Sequence, residues 1–265
     1  MDGITFIGNA TTLIRLGGFT LLTDPNFLHR GQRAYLGKGL WSRRLREPAM
    51  QPDGLPRLDA VLLSHLHGDH FDRVARDRLT RSAPVVTTPH AARRLEKWGF
   101  TTDALQNWQV HEQTNGAERL TVESVPGIHA RGVLGRLLPP VMGSWVEHHV
   151  NGILQHRIYI SGDTLTGDHV DEIRRRHPAP GVAVVHLGGT RVLFSTVTMD
   201  AEQGVDFVRR VDPGRVVPVH FDDYRVFKSP LSDFVDAAGT AGLGSRIDVP
   251  LRGETLPLPA GPVGA

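Results

Sequence analysis

Four side chains able to bind a metal fall within six residues, His65-Leu66-His67-Gly68-Asp69-His70, and no other feature constrains this chain so tightly. The cluster follows an uninterrupted apolar run, Ala60-Val61-Leu62-Leu63. Such a run reads as a buried strand, whose end delivers the cluster to one point at a sheet edge. His65 and His67 are two apart, so an extended backbone can point both to one side. Asp69 and His70 lie where the chain turns and can face a second point close by. That geometry suits two metal ions side by side rather than one. Imidazole and carboxylate donors suit zinc, and also manganese or iron. Burying so many polar groups with nothing to compensate them would be costly.

The chain has 265 residues and no cysteine. A disulfide framework, a thiolate nucleophile and a thiolate-rich zinc site are therefore excluded. The absence fits a reducing compartment. Net charge is only +2 with histidine neutral, too small an excess to imply a nucleic-acid partner. Hydrophobic residues make up 40%, enough to build the core of one large α/β domain or two small ones. Met1 to Phe6 opens directly into a strand-like pattern, without the basic region and apolar stretch of a signal peptide. No apolar run approaches the roughly 20 residues of a membrane helix. A soluble, cytoplasmic protein without integral membrane association is the expectation.

Along the chain, Ile4–Ile7, Thr12–Leu16 and Phe19–Leu22 read as short strands, the last two joined by the turn signal Gly17-Gly18. A loop rich in Gly, Pro and Arg follows, from Asn26 to about Leu58. After the strand Ala60–Leu63, a helix is expected over Asp72–Arg81, a strand over Pro84–Thr88 and a helix over Ala91–Trp98, ended by Gly99. Strand character returns from about Val110 onward, with strands over Arg119–Val125, Ser144–Val150 and Ile153–Ile160 and Asn151-Gly152 as a hairpin signal. Val182–Val185 and Val216–Val219 are short apolar strands. Helices are expected over Val170–Arg176, Asp200–Val211 and Leu231–Ala241, and the last ten residues read as an irregular tail. Each half thus holds β-rich sequence followed by helices. This favours two sheets packed face to face with helices outside, a four-layer αββα sandwich in a single domain spanning residues 1–265.

Three other places repeat the logic of an apolar strand with a ligand at its end: Val125 to His129, Ile160 to Asp163, and Val219-His220. With the opening cluster they make five histidines and two aspartates, enough for two ions with a shared carboxylate and open positions for water. A lone histidine after a strand is more often hydrogen-bonded or solvated than a ligand. His129 and His220 gain their weight from the cluster.

With those residues in place, the chain resembles a metallo-β-lactamase-fold hydrolase, whose signature is H-x-H-x-D-H followed by a distant His, Asp and His. Within that superfamily it resembles the branch of N-acyl-phosphatidylethanolamine-hydrolysing phospholipase D and the ascorbate-6-phosphate lactonase-like proteins. Leu22-Thr23-Asp24-Pro25, Leu58 to His65 and Ile160-Ser161-Gly162-Asp163-Thr164 carry that likeness. The resemblance implies that His65, His67 and His129 hold a first metal, that Asp69, His70 and His220 hold a second, and that Asp163 bridges them. It departs at His186-Leu187-Gly188-Gly189-Thr190, where the phospholipase branch has an apolar-Pro-Ile-Gly-like segment, and at Thr198-Met199-Asp200, which replaces a His-x-x-Pro-type segment.

The chemistry expected of two divalent ions, most readily Zn²⁺ with Mn²⁺ or Fe as alternatives, is a bridging hydroxide at neutral pH. It would cleave an ester bond, phosphodiester or lactone, in a small anionic substrate. Asp69 can orient the water and relay a proton, or serve as a ligand only. Asp24 can steady a ligand histidine from behind or simply form an Asp-Pro turn. His186 ends an apolar strand as the ligands do, so it either faces the site as a proton donor or substrate contact or is a satisfied core histidine. His90, His148, His149 and His156 read as structural or solvated. The 26–58 loop holds Arg30, Arg33, Lys38, Arg43, Arg44 and Arg46 among Tyr35, Leu36, Leu40 and Trp41, and reads as a lid with affinity for phosphate or carboxylate, or as a solvated loop. Arg131 to Pro140 suggests a wall for an acyl or aromatic group, or a contact within a homo-oligomer. Other functions compatible with the fold are a nuclease, a non-catalytic metal-binding scaffold and a di-iron redox protein.

Overall fold

The computed structural model describes residues 1–192 and 195–259. The first half lays down β1 (Gly3–Gly8), β2 (Thr11–Leu16), β3 (Phe19–Thr23), β4 (Arg33–Tyr35), β5 (Trp41–Arg43), β6 (Ala60–Leu63), α1 (Arg73–Arg78), β7 (Val85–Thr87), α2 (Pro89–Lys97) and β8 (Thr102–Ala104). The second half continues with β9 (Val110–Asn115), β10 (Glu118–Pro126), α3 (Gly132–Leu137), β11 (Met142–Val150), β12 (Ile153–Ile160), α4 (Asp168–Arg176), β13 (Val182–His186), β14 (Arg191–Val192), β15 (Ser195–Thr196), α5 (Ala201–Val211), β16 (Arg215–Val219), α6 (Leu231–Thr240) and β17 (Thr255–Pro257).

Two large sheets result, ordered β17-β1-β2-β3-β6-β7-β8 and β16-β13-β12-β11-β10-β9. Successive side chains on a strand face opposite sides, and the chain uses both. Ala60 and Leu62 of β6 join Ile4, Ile14, Val122, Val146, Val184 and Val217 in a core between the two sheets. Val61 and Leu63 turn outward and pack on Ala75, Ala91 and Leu95, under α1 and α2. Across the molecule Ala183 and Val185 turn outward onto Val170, Phe207, Val208 and Phe234, under α4, α5 and α6. Three apolar layers thus separate helix, sheet, sheet and helix. The expected four-layer αββα sandwich is the observed one.

Local chemistry sets most of the boundaries. Asp72 accepts a bond from the Ala75 amide and starts α1, one residue later than expected. That helix ends at Arg78 rather than Arg81, because Leu79 leaves the helical conformation and buries its side chain. Thr88 caps α2, and Pro89 takes its first turn, where a missing N–H costs nothing. The chain end departs from the expected tail. Thr255–Pro257 pairs antiparallel with β1 as an edge strand, where a proline is tolerated. Residues 260–265, the remainder of that expected tail, lie outside the described residues. The 26–58 loop also carries more order than expected, with the β4–β5 hairpin and a short 3₁₀ turn at Pro52–Gly54. Arg44 within it is no surface cation. It is fully buried, paired with Asp223 at 3.1 Å and bonded to Asn26 through its carbonyl and side-chain oxygens.

The strands that matter for the site run parallel: β3, β6 and β7 in one sheet, β12, β13 and β16 in the other. Their carboxyl ends lie at one end of the sandwich, where the loops after them meet.

Candidate metal centre

His65 follows β6, His129 follows β10, Asp163 follows β12 and His220 follows β16. The side chains of all seven residues singled out as ligands come together at that end. Potential ligand atoms of His65, His67 and His129 lie within 4.8 Å of one another, and so do those of Asp69, His70 and His220. Asp163 stands between the two groups, its Oδ2 3.1 Å from His70 Nε2 and 4.0 Å from His65 Nε2. His65 Nε2 approaches His67 Nδ1 at 3.0 Å, and His129 Nε2 approaches the same atom at 3.4 Å. His220 Nε2 lies 3.4 Å from Asp69 Oδ2.

Backbone carbonyls orient two of the rings. His129 Nδ1 donates to Val197 O at 3.0 Å and His220 Nδ1 donates to Leu187 O at 3.1 Å. A carbonyl only accepts, so these contacts fix each proton on Nδ1 and turn Nε2 toward the cluster. His220 also holds a left-handed backbone with φ 62°, uncommon outside glycine and frequent where a side chain must be aimed.

The electrostatics favour a cation. Burial pushes His65 well below its ordinary value, with the neighbouring His70, His67 and His129 adding to the effect. Burial, reinforced by His129, lowers His67 to about 4. Both rings are neutral near pH 7, with lone pairs to offer. Burial alone would raise Asp163, yet His220 and His70 hold it well below the carboxylate range. Burial opposes charge on His70 as well, and the carboxylates of Asp163, Asp24 and Asp69 overcome it. Asp69 Oδ1 and Asp163 Oδ1 are buried with no hydrogen-bond partner. Buried carboxylate oxygens without partners, facing several imidazole nitrogens, are what a divalent cation satisfies.

A second layer stands behind the ligands. Asp24, fully buried, accepts bonds from Ser64 N at 2.8 Å and Ser64 Oγ at 2.9 Å. Its Oδ2 meets His70 Nδ1 at 3.3 Å and His186 Nε2 at 3.2 Å. Burial works against its charge, but His70 and His186 pull it down to about 2. His186 is wholly buried, and its other nitrogen meets Ser161 Oγ at 3.2 Å. It reaches the cluster through Asp24 and by packing its ring 6.0 Å from that of His70 and 5.8 Å from that of His220. Sequence reasoning passed over Ser64 and Asn9. Ser64 Oγ also lies 3.0 Å from His65 Nδ1, and its only signal was its place directly before the cluster. Asn9 Nδ2 donates to Asp69 O at 2.7 Å, while Asn9 O accepts from His220 N at 2.9 Å. A Gly-Asn turn between two strands was its signal.

A cavity of about 370 Å³ opens beside His67. Tyr35 and Trp41 of the β4–β5 hairpin and Trp98, directly after α2, line it, together with Arg33, Arg73 and Arg94. Arg30, Lys38, Arg43 and Arg46 are exposed. On the other side, α3 in the segment after His129 leaves Val133 and Leu137 exposed. Among the described residues, no helix is long and apolar enough to cross a membrane.

Residues 20–221 match the family profile described as "Beta-lactamase superfamily domain". The uncharacterized protein Rv0906 of Mycobacterium tuberculosis is 27% identical over 98% of this chain and 69% of its own length. The UPF0173 metal-dependent hydrolase DSY1309 of Desulfitobacterium hafniense is 25% identical over 77% of this chain and 83% of its own. N-acyl-phosphatidylethanolamine-hydrolyzing phospholipase D 1 of Caenorhabditis elegans is 30% identical over 48% of this chain and 37% of its own. Among solved structures, a possible metal-dependent hydrolase from Veillonella parvula superposes with a TM-score of 0.81 at 22% identity, covering 97% of this chain and all (100%) of the other. The isothiocyanate hydrolase from Delia radicum gut bacteria gives 0.80 at 22% identity, covering 96% and 98%.

Proposed function

Because the chain belongs to the beta-lactamase superfamily, we propose that it is a dinuclear metal-dependent hydrolase that cleaves an ester bond in a small anionic substrate. The observation that carries this reading is the pair of ligand groups, His65/His67/His129 and Asp69/His70/His220, with Asp163 between them. Those residues would hold two divalent ions, zinc by the softness of the donors. Ions so held would supply Lewis-acid chemistry, lowering the pKa of a water and neutralising charge on an attacked carbonyl or phosphoryl group. Asp69, with one oxygen toward His220 and the other unpartnered, is the group placed to accept the proton of that water. His186 and Asp24 act as positioning residues, holding His70 from behind.

The cavity beside His67 supports the substrate class. Arg33, Arg73 and Arg94 offer guanidinium groups to a phosphate or carboxylate, while Tyr35, Trp41 and Trp98 offer an apolar surface beside it. In this reading residues 1–265 form one domain, the 26–58 segment is its lid, and the cysteine-free chain works on a small molecule in the cytoplasm.

The test is elemental analysis of untagged protein, followed by assays on a phosphodiester, a panel of lactones and a neutral ester, with and without chelator. Expected are close to two zinc ions per chain, with hydrolysis abolished by chelation and restored by Zn²⁺. Arg73→Ala and Arg94→Ala should raise KM several-fold for anionic substrates and leave the neutral ester unaffected. Fewer than about one ion per chain, with chelator changing nothing, would sink the reading.

A further inference from the structure

At the opposite end of the sandwich, a second set of imidazoles and carboxylates spans the gap between the two sheets. Asp2 precedes β1, Gly17-Gly18 turns β2 into β3, and Glu118 opens β10. His148 and His156 are register partners on β11 and β12, their rings parallel within 9° at a centroid separation of 6.0 Å. His156 lies four residues before the end of β12, roughly 13 Å of extended chain short of the loop that carries Asp163. This group is therefore separate from the candidate metal centre.

We propose that Asp2, His148 and His156 form a further divalent transition-metal site, of the zinc class, with Glu118 orienting the His148 ring. Potential ligand atoms of the three lie within 4.8 Å of one another. His148 Nε2 donates to Glu118 Oε2 at 2.9 Å, and His156 Nε2 lies 2.8 Å from Asp2 Oδ2, sharing a proton that an ion held by both would displace. That leaves His148 Nδ1 buried and without a partner. A cation bound at Nδ1 satisfies that lone pair and leaves the Glu118 bond in place. Ligand imidazoles commonly stand in this way, steered by a carboxylate on the far nitrogen.

The rings are buried, with side-chain exposures of 2% for His148 and 8% for His156, while Glu118 and Asp2 are 26% and 30% exposed. The rings supply fixed donors and the carboxylate side leaves a path for the ion and for a water to complete a tetrahedral shell. Two negative groups are drawn together here. Gly18 N donates to Glu118 Oε2 at 2.9 Å beside the His148 contact. Gly17 N in turn donates to Asp2 Oδ1 at 3.0 Å. Gly17 follows from this crowding, since a Cβ there would collide with Glu118 and lie 2.8 Å from His148 Cε1. A bound ion would staple the first strand of one sheet to the middle of the other.

The experiment is a Zn²⁺ titration of untagged, metal-stripped protein against a chromogenic chelator. It compares the native chain with Asp2→Asn and with His156→Gln, and a thermal melt with and without zinc accompanies each. Asp2 stands ahead of the first strand, so its variant keeps the core intact even where the buried His156 variant folds poorly. The native chain should bind one more equivalent than either variant, and its zinc-dependent rise in Tm should shrink in both. Hydrolysis at saturating zinc should stay within twofold of native in Asp2→Asn. Equal zinc counts in native and Asp2→Asn protein would overturn the proposal and leave a hydrogen-bonded clasp. The difference between native and variant reads this site alone, whatever number of ions the centre at His65–His70 holds.

Discussion

Asp24 is the residue on which the candidate metal centre leans most. It sits at φ 34°, in a turn between β3 and the 26–58 segment, yet it is 1% exposed. One of its oxygens anchors Ser64 and the other faces both His70 and His186. An Asn there keeps the shape but loses the charge, and it presents either an N–H or a neutral oxygen to the two rings. Outer-sphere partners of this kind are typically worth 10–100-fold in metal affinity. Asp24→Asn should therefore weaken binding of the ion at His70 by roughly that factor, read by chelator competition, while binding at His65/His67/His129 changes little. Native affinity in the variant would show that Asp24 only shapes the turn. The sequence made this residue visible as an Asp-Pro after a strand. Ser64 and Asn9 were harder to see, because their value lies in contacts across the fold that no local pattern records.

At the scale of elements, the strands that alternate between two cores were legible: β6 and the runs Val182–Val185 of β13 and Val216–Val219 of β16 are apolar because both faces are covered. The elements that escaped notice are edges or very short. β9, Val110-His111-Glu112-Gln113-Thr114-Asn115, lies where strand character was expected to return but was not delimited, being polar because it closes one side of a sheet, and β8 and β17 are three residues each at the ends of the other. The join between the 26–58 segment and the scaffold was hidden too. Asp72 caps α1 through Ala75 N at 2.8 Å and also accepts from Phe27 N at 2.5 Å and Leu28 N at 2.6 Å. One carboxylate thus starts a helix and pins the root of the 26–58 segment. Removing it strands three amides, each costing about 1–3 kcal/mol if left dry. Asp72→Ala should destabilise by about 3 kcal/mol or more in urea unfolding. Asp200→Ala, which removes only the cap on Gln203 N, should cost about 1 kcal/mol. Equal losses in the two variants would mean that water replaces Asp72 at Phe27 and Leu28.

For the whole molecule, the origin of the candidate ligands matters more than their number. His65, His67, Asp69 and His70 leave the first sheet at β6, while His129, Asp163 and His220 leave the second at β10, β12 and β16. Between this junction and the polar clasp at Asp2, Glu118, His148 and His156, the inner faces of the sheets meet through an apolar core. Divalent ions at this junction would bind the folded chain and have no comparable site once the sheets separate. Their contribution to stability then follows from mass action, about 2.7 kcal/mol for each ion held at a hundred times its dissociation constant. In a chain of this length one kcal/mol moves the midpoint by roughly 2–4 °C. Chelation should therefore lower Tm by roughly 5–10 °C per ion removed, and Zn²⁺ should restore it. The effect should fall by about half in His129→Ala, which breaks the first ligand group, provided that the ion at Asp69, His70 and His220 stays bound. Differential scanning calorimetry at fixed protein and metal concentration measures both. An unchanged midpoint after chelation, with metal loss verified by elemental analysis, would mean that the two sheets hold the seven side chains in place unaided.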